Sequence, residues 1–551
     1  MIIGLDVGGT HTDAVLLRKG ELIHHIKVLT DSTNLLQTVL NGLEAITADI
    51  DPGEIRRAVL STTLATNLVA QQNLPPAGMV VSAGPGIDPQ HFRTNAHYHI
   101  VKGALDHRGR EIQPLDEQQI QSVGERFKQE GIRYAGVVSK FSVRNPEHEK
   151  RMAALLEPYV EKVFLGNDFS GALNFPRRIA TTYLNAAVYP VHKAFFEAVQ
   201  QSLNQKGLDV PIRILKPDGG NMNFASSVDH AAQTILSGPS ASVMGAVAHA
   251  PDEGTSLVLD IGGTTTDMAV LIDAVPLLAP SGIEIGPFKT SIRALLTRSL
   301  AIGGDSEAAV QNGEISIGPG RKGAAMAFGG PAPTPTDACR VLGLLTEGDR
   351  DRALEGLKPL AGELNLSVEA TAAQIFESAC RKIVDGAQAM IDEINSKPVY
   401  TVHELWEGSR IVPEHFIILG GPAPQFAEKL AALFDGKVTV VPHWQVANAI
   451  GCALARTTCE VSLFVDTGQG IATAPGENFN RHIGPGFEMQ DACDLCIELL
   501  KAKALRRGAI PENLKTEILE ASEFNMVRGF NTVGKNLRVR AQVKPGLIEL
   551  P

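Results

Sequence analysis

Two stretches of the sequence share an acidic, glycine-rich pattern that could bind phosphate. Residues 6–13 read Asp-Val-Gly-Gly-Thr-His-Thr-Asp, and residues 260–267 read Asp-Ile-Gly-Gly-Thr-Thr-Thr-Asp. Each pattern follows an apolar run that is typical of a buried strand. Paired glycines allow a turn to point N–H groups at an anion, and a carboxylate on the preceding strand can hold a cation. Two such hairpins facing each other would hold the phosphates of a nucleotide from both sides.

The recurrence carries more weight than either copy. One glycine-rich turn is weak evidence, because such turns are common. Here two acidic residues, two glycines and two threonines recur in the same register, which chance turn chemistry does not explain. The sequence therefore predicts two halves that each contribute one hairpin.

Further glycine turns follow predicted strands. Gly303 and Gly304 precede a carboxylate, and Gly420 and Gly421 end the apolar run at 416–419. A Gly-Gly turn can accept the flat face of an adenine or ribose where side chains would collide. Residues 313–337 are rich in glycine and proline and read as a long loop, which favours a substrate or metal loop.

Hydroxyl and imidazole groups leave two alternatives open. The Ser and Thr residues at 61–66 either cap a following helix or present hydroxyls to a phosphate or substrate. His97 and His99 would share one face of a strand, with His91 nearby, so the three histidines are either metal ligands or solvated loop residues. The Cys493 and Cys496 pair has helical spacing and favours packing over metal or redox chemistry.

The composition excludes several classes of protein. A net charge of −11 argues against a nucleic-acid partner. Six cysteines in 551 residues do not make a disulfide framework, which favours a reducing cytoplasm. With no apolar run of about 18 residues and no leader pattern, we expect an unprocessed cytoplasmic protein without a membrane partner.

The elements around the hairpins predict an α/β chain of several units. Helical spacing at 31–48, 177–205, 370–395 and 489–506 alternates with short apolar strands. Small-residue helices are expected near 238–246 and 446–455, and the strand at 212–216 is expected to begin the second half. We predict domains at 1–185, 186–460 with an inserted loop region at about 300–340, and 461–551.

Taken together, the chain resembles the hydantoinase A/oxoprolinase family on the actin, hexokinase and heat-shock ATPase fold. The resemblance covers nearly everything to about residue 460 and rests on motifs at 6–13, 61–67, 145–149, 181–190, 237–239, 260–267, 303–304, 318–337 and 420–421. It implies two duplicated ATPase lobes around a nucleotide cleft, with a small C-terminal α+β extension.

The family resemblance also implies an activity. Its members open a cyclic amide, such as a hydantoin or 5-oxoproline, at the expense of ATP, and related members activate substrates for carboxylation. Such subunits often pair with a B-type subunit. This sequence carries no B-type half and has a shorter tail than the longer A subunits, so we expect a B-type partner and an oligomer. Residues 321–330 also depart from the polar loop that the family would lead one to expect.

A mechanism for ATP and Mg²⁺ follows as a hypothesis. Phosphorylation of the amide oxygen would make a good leaving group for attack by water. Asp6 and Asp260 would hold Mg²⁺ through waters, and Asp13 and Asp267 would either orient the acceptor or a water, or brace the hairpins. All four are candidate catalytic residues. The candidate nucleotide-binding residues are Gly8, Gly9, Thr10, Thr12, Gly262, Gly263, Thr264, Thr265, Gly303, Gly304, Gly420 and Gly421.

Two other functions share these motifs. A sugar or small-molecule kinase would leave a stable phosphorylated product, whereas a hydrolase would release phosphate and an opened ring. A nucleotide-gated regulatory subunit would bind ATP without substrate-stimulated turnover.

Overall fold

The computed structural model of the chain describes residues 1–8, 11–31, 33–48, 50–205, 207, 210–279, 281–396 and 410–549. In these residues the strands form four sheets of four to six strands and several two-stranded ribbons. Within the same ranges, no helix combines the length and apolar character that crossing a membrane requires.

The first part of the chain builds two sheets. The strands are β1 (Ile2–Val7), β2 (His11–Arg18), β3 (Glu21–Leu29), β4 (Arg57–Thr62), β5 (Gly78–Ser82), β6 (Tyr98–Ile100), β7 (Ala104–Leu105), β8 (Glu111–Gln113), β9 (Tyr134–Ser139), β10 (Lys162–Leu165), β11 (Ile212–Leu215) and β12 (Asn221–Asn223). The helices are α1 (Leu35–Thr47), α2 (Leu64–Ala70), α3 (Glu117–Gln129), α4 (Glu147–Leu156), α5 (Phe175–Gln205), α6 (Phe224–Asp229) and α7 (Gly238–Val247). The sheet orders are β12-β11-β4-β1-β2-β3 and β10-β9-β5-β6.

The middle of the chain builds the third sheet. Its strands are β13 (Thr255–Ile261), β14 (Thr266–Ile272), β15 (Val275–Pro276), β16 (Glu284–Ile285), β17 (Phe288–Lys289), β18 (Thr297–Leu300), β19 (Ala308–Gln311), β20 (Glu314–Ile317), β21 (His415–Leu419) and β22 (Lys437–Val440). The helices are α8 (Pro335–Val341), α9 (Arg350–Leu364), α10 (Val368–Ser396), α11 (Ala423–Leu433) and α12 (Ala447–Leu454). The sheet order is β15-β14-β13-β21-β22, and β18 also pairs with β14.

The last part of the chain forms an α+β extension. Its elements are β23 (Glu460–Asp466), β24 (Ile471–Ala474), β25 (Phe479–His482), α13 (Met489–Arg506), β26 (Thr516–Arg528) and β27 (Asn531–Val543). The antiparallel sheet, ordered β25-β24-β23-β27-β26, packs its apolar face on α13. The β26–β27 ribbon ends in a tip where Phe524, Val527, Phe530 and Val533 are exposed.

The first and third sheets repeat one topology. In each, a hairpin (β1–β2 or β13–β14) continues into two parallel strands, β4 and β11 in the first sheet and β21 and β22 in the third. The register is also the same, because Asp6 lies opposite Asp13 and Asp260 lies opposite Asp267. The sequence repeat is therefore a structural repeat.

Two small-residue helices, α7 and α12, connect the first and third sheets. The Cβ atom of an alanine at Gly451 would lie 2.2 Å from the backbone nitrogen of Gly245, so the two helices meet backbone to backbone. A Cβ at Gly4 in β1 would lie 2.1 Å from the carbonyl oxygen of Ala449. Glycine at these positions is what allows the sheets and helices to approach so closely.

Two local predictions were wrong. The strand at 212–216 does not begin the second half: β11 pairs with β4 and completes the first sheet, because a strand after a long helix can return to either sheet. Residues 313–337 are not one loop, since β20 and the start of α8 lie within them. The domain boundaries at 185 and 460 stay a prediction.

Candidate functional site

The two hairpins turn in the same way. The N–H of Gly8 donates to the carbonyl of His11 at 3.1 Å, and the N–H of Gly262 donates to the carbonyl of Thr265 at 2.9 Å. These bonds close each turn, and the tip N–H groups of the second turn lie where a ligand could meet them. Gly263 and Thr264 form the second tip, where Thr264 is exposed. Gly9 and Thr10, predicted at the first tip, lie outside the described residues.

Asp6 is a buried carboxyl at the end of β1. Its pKa is raised to about 7, chiefly by burial and in smaller part by repulsion from Asp13 and Asp260, while the polar side chains of Ser61 and Asn448 oppose the shift. Ser61 sits beside it in β4, in register with Asp6. The charged neighbours that act on this group are carboxylates.

Asp260 occupies the matching position in the second hairpin. The hydroxyl of Ser242, in α7, donates to its Oδ2 at 2.5 Å. Its pKa is raised to about 6, chiefly by burial and in smaller part by repulsion from Asp267 and Asp13. The polar side chains of Ser242 and Asn448 oppose the shift. Asp6 and Asp260 therefore meet across the interface between the two sheets.

Asn448 is the residue that the sequence prediction missed. It lies in the first turn of α12, and its side-chain amide lies near enough to the carboxyls of both Asp6 and Asp260 to lower the pKa of each. A weak signal was present, since Asn448 is the one amide side chain in the small-residue run 446–455. Ser242 stands in a similar small-residue helix and was missed for the same reason.

Asp13 and Asp267 lie one strand away from the central pair. Burial raises the pKa of Asp13, and Lys27, whose Nζ lies 2.6 Å from Oδ1, lowers it. Burial also raises the pKa of Asp267, against a hydrogen bond from Ser299. Each carboxyl thus has a partner within its own sheet, which suits a bracing role as well as a role toward a ligand.

The predicted threonines face in different directions. Thr12 is fully buried, and its hydroxyl lies 2.9 Å from that of Thr30, on the sheet face opposite to Asp13. The structure therefore does not bring Thr12 to the carboxyl cluster. Thr265 is half-buried in the second turn, where its carbonyl accepts the Gly262 N–H.

The Gly303–Gly304 turn covers the second hairpin. The N–H of Gly304 donates to Gly262 O at 2.9 Å, and the N–H of Asp305 donates to Gly263 O at 2.7 Å. A Cβ at Gly303 would lie 2.5 Å from Gly262 O, so only glycine fits there. This turn fixes the shape of the second hairpin's Gly-Gly-Thr turn.

Gly420 and Gly421 reach the same place from β21. Gly420 has a φ of 93°, and a Cβ there would lie 2.5 Å from Oδ1 of Asp260. A Cβ at Gly421 would meet nothing within 4 Å, so this side of the turn is open. The predicted nucleoside turn therefore adjoins the second carboxyl and has free space beside it.

Two hydroxyl motifs meet at the edge of the cluster. Ser61 and Ser237 have their hydroxyl oxygens 3.4 Å apart, and Thr66 Oγ1 accepts the N–H of Leu236 at 2.9 Å. Thr63 is the N-cap of α2 but makes no side-chain capping bond. These contacts join the end of β4 to the start of α7.

The glycine-rich segment before α8 is held by one carboxylate. Oδ1 of Asp337 accepts the N–H of Ala327 at 2.7 Å, and Oδ2 accepts that of Thr334 at 2.9 Å. Asp337 also completes a capping box at the start of α8. Arg321 lies 3.1 Å from Asp305, which ties this segment to the Gly303–Gly304 turn.

The central carboxyls fit a hydrated cation. In the ranges that the structure describes, no group of three or more His, Cys, Asp or Glu side chains could hold a metal. Asp6 and Asp260 repel each other, and a divalent cation would relieve that repulsion. Mg²⁺ keeps several waters and takes one or two carboxylates plus phosphate oxygens. Two carboxyls suit such an ion better than a closed zinc site.

The histidines have other partners. Nδ1 of His97 lies 2.8 Å from Glu130, and the ring of His99 packs edge-on against Phe127. His91 belongs to a short 3-10 turn at Pro89–Phe92. In the described part of the chain, none of the three belongs to a group of His, Cys, Asp or Glu side chains that could hold a metal.

Other family motifs brace the frame. Glu149 is fully buried, accepts the N–H groups of Ser139 and Asn167 at 2.8 Å, and lies 3.4 Å from Arg178. Asn185 in α5 accepts the N–H of Ala232 and donates to Asp229 O. These residues position the sheets and do not reach the carboxyl cluster.

Comparison with known proteins agrees with this architecture. Residues 2–160 match the hydantoinase/oxoprolinase N-terminal region, and residues 178–461 match hydantoinase/oxoprolinase. Caprolactamase subunit alpha of Pseudomonas jessenii is 24% identical over 507 residues, covering 83% of this chain and 70% of that protein. The acetophenone carboxylase gamma subunit of Aromatoleum aromaticum is 26% identical, covering 62% and 53%.

A solved structure shares the fold. The ATP-dependent caprolactamase from Pseudomonas jessenii superposes with a TM-score of 0.76 at 19% identity, over 100% of this chain and 88% of that one. The predicted fold class, two duplicated ATPase lobes with a C-terminal α+β extension, is confirmed. With family matches over most of its length, the chain belongs to the hydantoinase/oxoprolinase family.

Proposed function

We propose that this chain is the ATP-binding subunit of an enzyme that opens a cyclic amide by phosphoryl activation of the amide. The observation that carries the proposal is that two buried carboxyls, Asp6 and Asp260, one from each repeated hairpin, both lie beside Asn448. Similarity to caprolactamase subunit alpha supports a lactam as the substrate.

The chain's own residues supply position and charge. The turn N–H groups at 8–10 and 262–264 would bind the phosphates, and the Gly303–Gly304 and Gly420–Gly421 turns would receive the rest of the nucleotide. Asp6 and Asp260 would hold Mg²⁺, which when bound neutralises phosphate charge. Since phosphoryl transfer depends mostly on such positioning, no covalent enzyme intermediate is required.

Asp13 and Asp267 are proposed to stand next to the reacting groups. Burial raises the pKa of both carboxyls, which favours the protonated, uncharged form more than in an exposed carboxyl. A carboxyl of this kind can orient a water or an acceptor by hydrogen bonding. Because Lys27 already pairs with Asp13, Asp267 is the better candidate for this task.

A partner subunit is part of the proposal. Two relatives are named as subunits, caprolactamase subunit alpha and acetophenone carboxylase gamma subunit. We infer that a B-type chain completes the enzyme and that this subunit supplies ATP chemistry to it.

Nucleotide binding tests the proposal without the partner. In calorimetric titration with ATP and MgCl₂, we expect Asp6→Asn and Asp260→Asn each to weaken binding at least about tenfold, because each removes one charge from the cation site. Asp494→Asn, on the exposed face of α13, is the matched control. Equal binding by wild type and both cluster variants would refute the assignment.

Product analysis then tests the reaction. Wild-type chain co-expressed with a B-type chain is incubated with ATP and a lactam panel, and the products are identified by mass spectrometry. Free phosphate with a ring-opened amino acid supports the proposal. A stable phosphorylated product indicates a kinase, and nucleotide binding without substrate-stimulated turnover indicates a regulatory subunit.

A further inference from the structure

A cavity of about 400 Å³ lies away from the carboxyl cluster, between the first lobe and the C-terminal extension. Its wall includes Arg144 and Asp168 from the first lobe, Arg293 from the second, and Arg507 and Arg538 from the extension. Ligand sites in proteins are commonly of this size. None of the motifs that define the nucleotide site contributes to it.

Four cations converge on one side of this cavity. Burial raises the pKa of the Cys459 thiol, and four nearby cations oppose that shift: Lys503, Arg507, Lys216 and Arg293. They are also close enough to act on one another, since burial lowers the pKa of Lys216 to about 8 with Arg507 and Arg293 adding to the effect. Within a chain of net charge −11 this is a strongly positive wall.

The acidic side chains on the wall offset its cations only in part, because five of them line the cavity against seven Lys and Arg side chains. One of the four cations, Lys503, is paired with Glu477 at 2.5 Å. Asp218 is shared between Lys216, at 3.0 Å, and Arg293, at 3.5 Å, so one negative charge faces two positive ones. Burial raises the pKa of Asp168 to about 7, with Glu149 adding to the shift, so near neutral pH Asp168 carries only part of a charge. The cluster retains positive charge.

Arg293 has unused donors. All three of its guanidinium nitrogens are buried, and in the described residues none of them makes a hydrogen bond. Oδ1 of Asp218 accepts the N–H of Gly220 at 3.1 Å and Oδ2 accepts a bond from Lys216 Nζ at 3.0 Å, and the 3.5 Å approach of Arg293 is too long for another. Leaving buried charged donors unpaired is costly, so the site lacks an acceptor.

Arg293 is held in place by its neighbours. Ile292, Ala294 and Leu295 are all buried, and the N–H of Leu295 donates to Pro217 O at 2.7 Å. Lys216 is also fixed, because its Nζ donates to Thr458 O at 2.9 Å. The cationic wall is therefore a built site rather than a set of free surface side chains.

We propose that this cavity binds a small organic oxyanion, carboxylate or phosphoryl, whose charge is held by the guanidinium of Arg293. A guanidinium fork matches both groups in geometry. The lining also includes Phe169, Phe464 and Val539, so an apolar body can accompany the charged group. The site is independent of the nucleotide clamp and does not rest on the proposed lactam chemistry.

Anion titration of the full chain tests the proposal. The thermal midpoint and calorimetric binding are followed with inorganic phosphate, acetate, butyrate and hexanoate, against sodium chloride at equal ionic strength. A carboxylate ligand predicts affinity that rises about fourfold per added methylene, since each is buried against the apolar wall. Preference for phosphate over all carboxylates would assign the phosphoryl class. No binding beyond the chloride control would overturn the proposal.

Variants locate the site. Arg293→Gln should weaken anion binding at least about tenfold while leaving the thermal midpoint without anion unchanged or higher, because a buried guanidinium whose nitrogens make no hydrogen bond is removed. A purely structural arginine would instead lower that midpoint. Arg381→Gln, an exposed residue paired with Glu377, is the control. Asp6→Asn should bind the anion as wild type does. Binding that survives Arg293→Gln, or that Asp6→Asn or Arg381→Gln abolishes, would refute the assignment.

Discussion

Asn448 is a single side chain that acts on the pKa of both carboxyls of the cluster. Its amide lowers the pKa of both Asp6 and Asp260, which burial raises to about 7 and about 6. In Asn448→Ala we expect both pKa values to rise, so that Mg²⁺–ATP binding requires a higher pH. The acid limb of the binding profile, measured by calorimetry from pH 5 to 8, should move upward.

The control for this change is an exposed amide. Asn41→Ala, on the surface of α1, removes the same group without touching the cluster. An Asn448→Ala profile that overlays the wild-type and Asn41→Ala profiles would contradict the role assigned to the amide.

Asp6 also makes the stability of the protein depend on pH. Its folded pKa of about 7 lies above the ordinary value of 3.8, so the folded state binds the proton more tightly. Stability therefore falls as pH rises from about 4 to about 7, by up to on the order of 4 kcal/mol. Asp6→Asn should flatten this dependence, as seen in thermal midpoints at pH 5 and 8 without divalent cation. An equal change of the thermal midpoint between pH 5 and pH 8 in wild type and in Asp6→Asn would contradict the role assigned to Asp6.

The sequence could predict the acidic and glycine positions but not their supports. The pattern at 6–13 and 260–267 is local, so spacing alone reveals it. Asn448 and Ser242 meet these carboxyls only through tertiary packing of α12 and α7, and no short-range pattern links residue 448 to residue 6. Arg293 escaped notice for the same reason.

At the scale of elements, the contact between α7 and α12 leaves no room for a side chain. An alanine Cβ at Gly451 would lie 2.2 Å from the backbone nitrogen of Gly245, which cannot rotate away. We expect Gly451→Ala to lower stability by about 1–3 kcal/mol or more through overpacking. A calorimetric melting scan measures the loss.

A second glycine in a helix provides the matched comparison. A Cβ at Gly362 in α9 would meet nothing within 4 Å, so Gly362→Ala should raise stability by about 0.5–1 kcal/mol through backbone entropy. If both substitutions shifted the melting temperature alike, the close backbone contact would not explain the requirement at 451.

Element types were easier to predict than element partners. The helix predicted at 489–506 is α13, and that at 370–395 is α10 with small extensions at both ends. Periodicity identifies such helices because it is a property of the segment itself. Strand partners depend on which sheet has a free edge, which is why β11 was assigned to the wrong half. The long β26 was missed because its charged residues obscure the strand pattern.

At the scale of the molecule, the two lobes each carry half of the candidate clamp. A nucleotide that binds both hairpins should draw the lobes together and stabilise the closed form. We expect the radius of gyration from solution scattering to fall when ATP and MgCl₂ are added. Asp260→Asn should reduce the effect, and Asp494→Asn should not. An unchanged radius at saturating nucleotide would exclude closure.

The overall architecture could be predicted from the sequence because the two duplicated hairpins repeat one recognisable sequence pattern. The cationic cavity was not, since its walls come from residues as far apart as Arg144 and Arg540. Such sites exist only once three units of the chain have packed together.

The β26–β27 ribbon affects how the protein behaves when it is prepared. Its tip exposes Phe524, Val527, Phe530 and Val533, and β26 is an edge strand with unpaired backbone groups. Exposed apolar patches and open edges promote aggregation. We expect concentrated samples of the chain by itself to scatter light increasingly, and Phe530→Ser to stay clear at the same concentration. Equal scattering by the two would show that the tip is harmless.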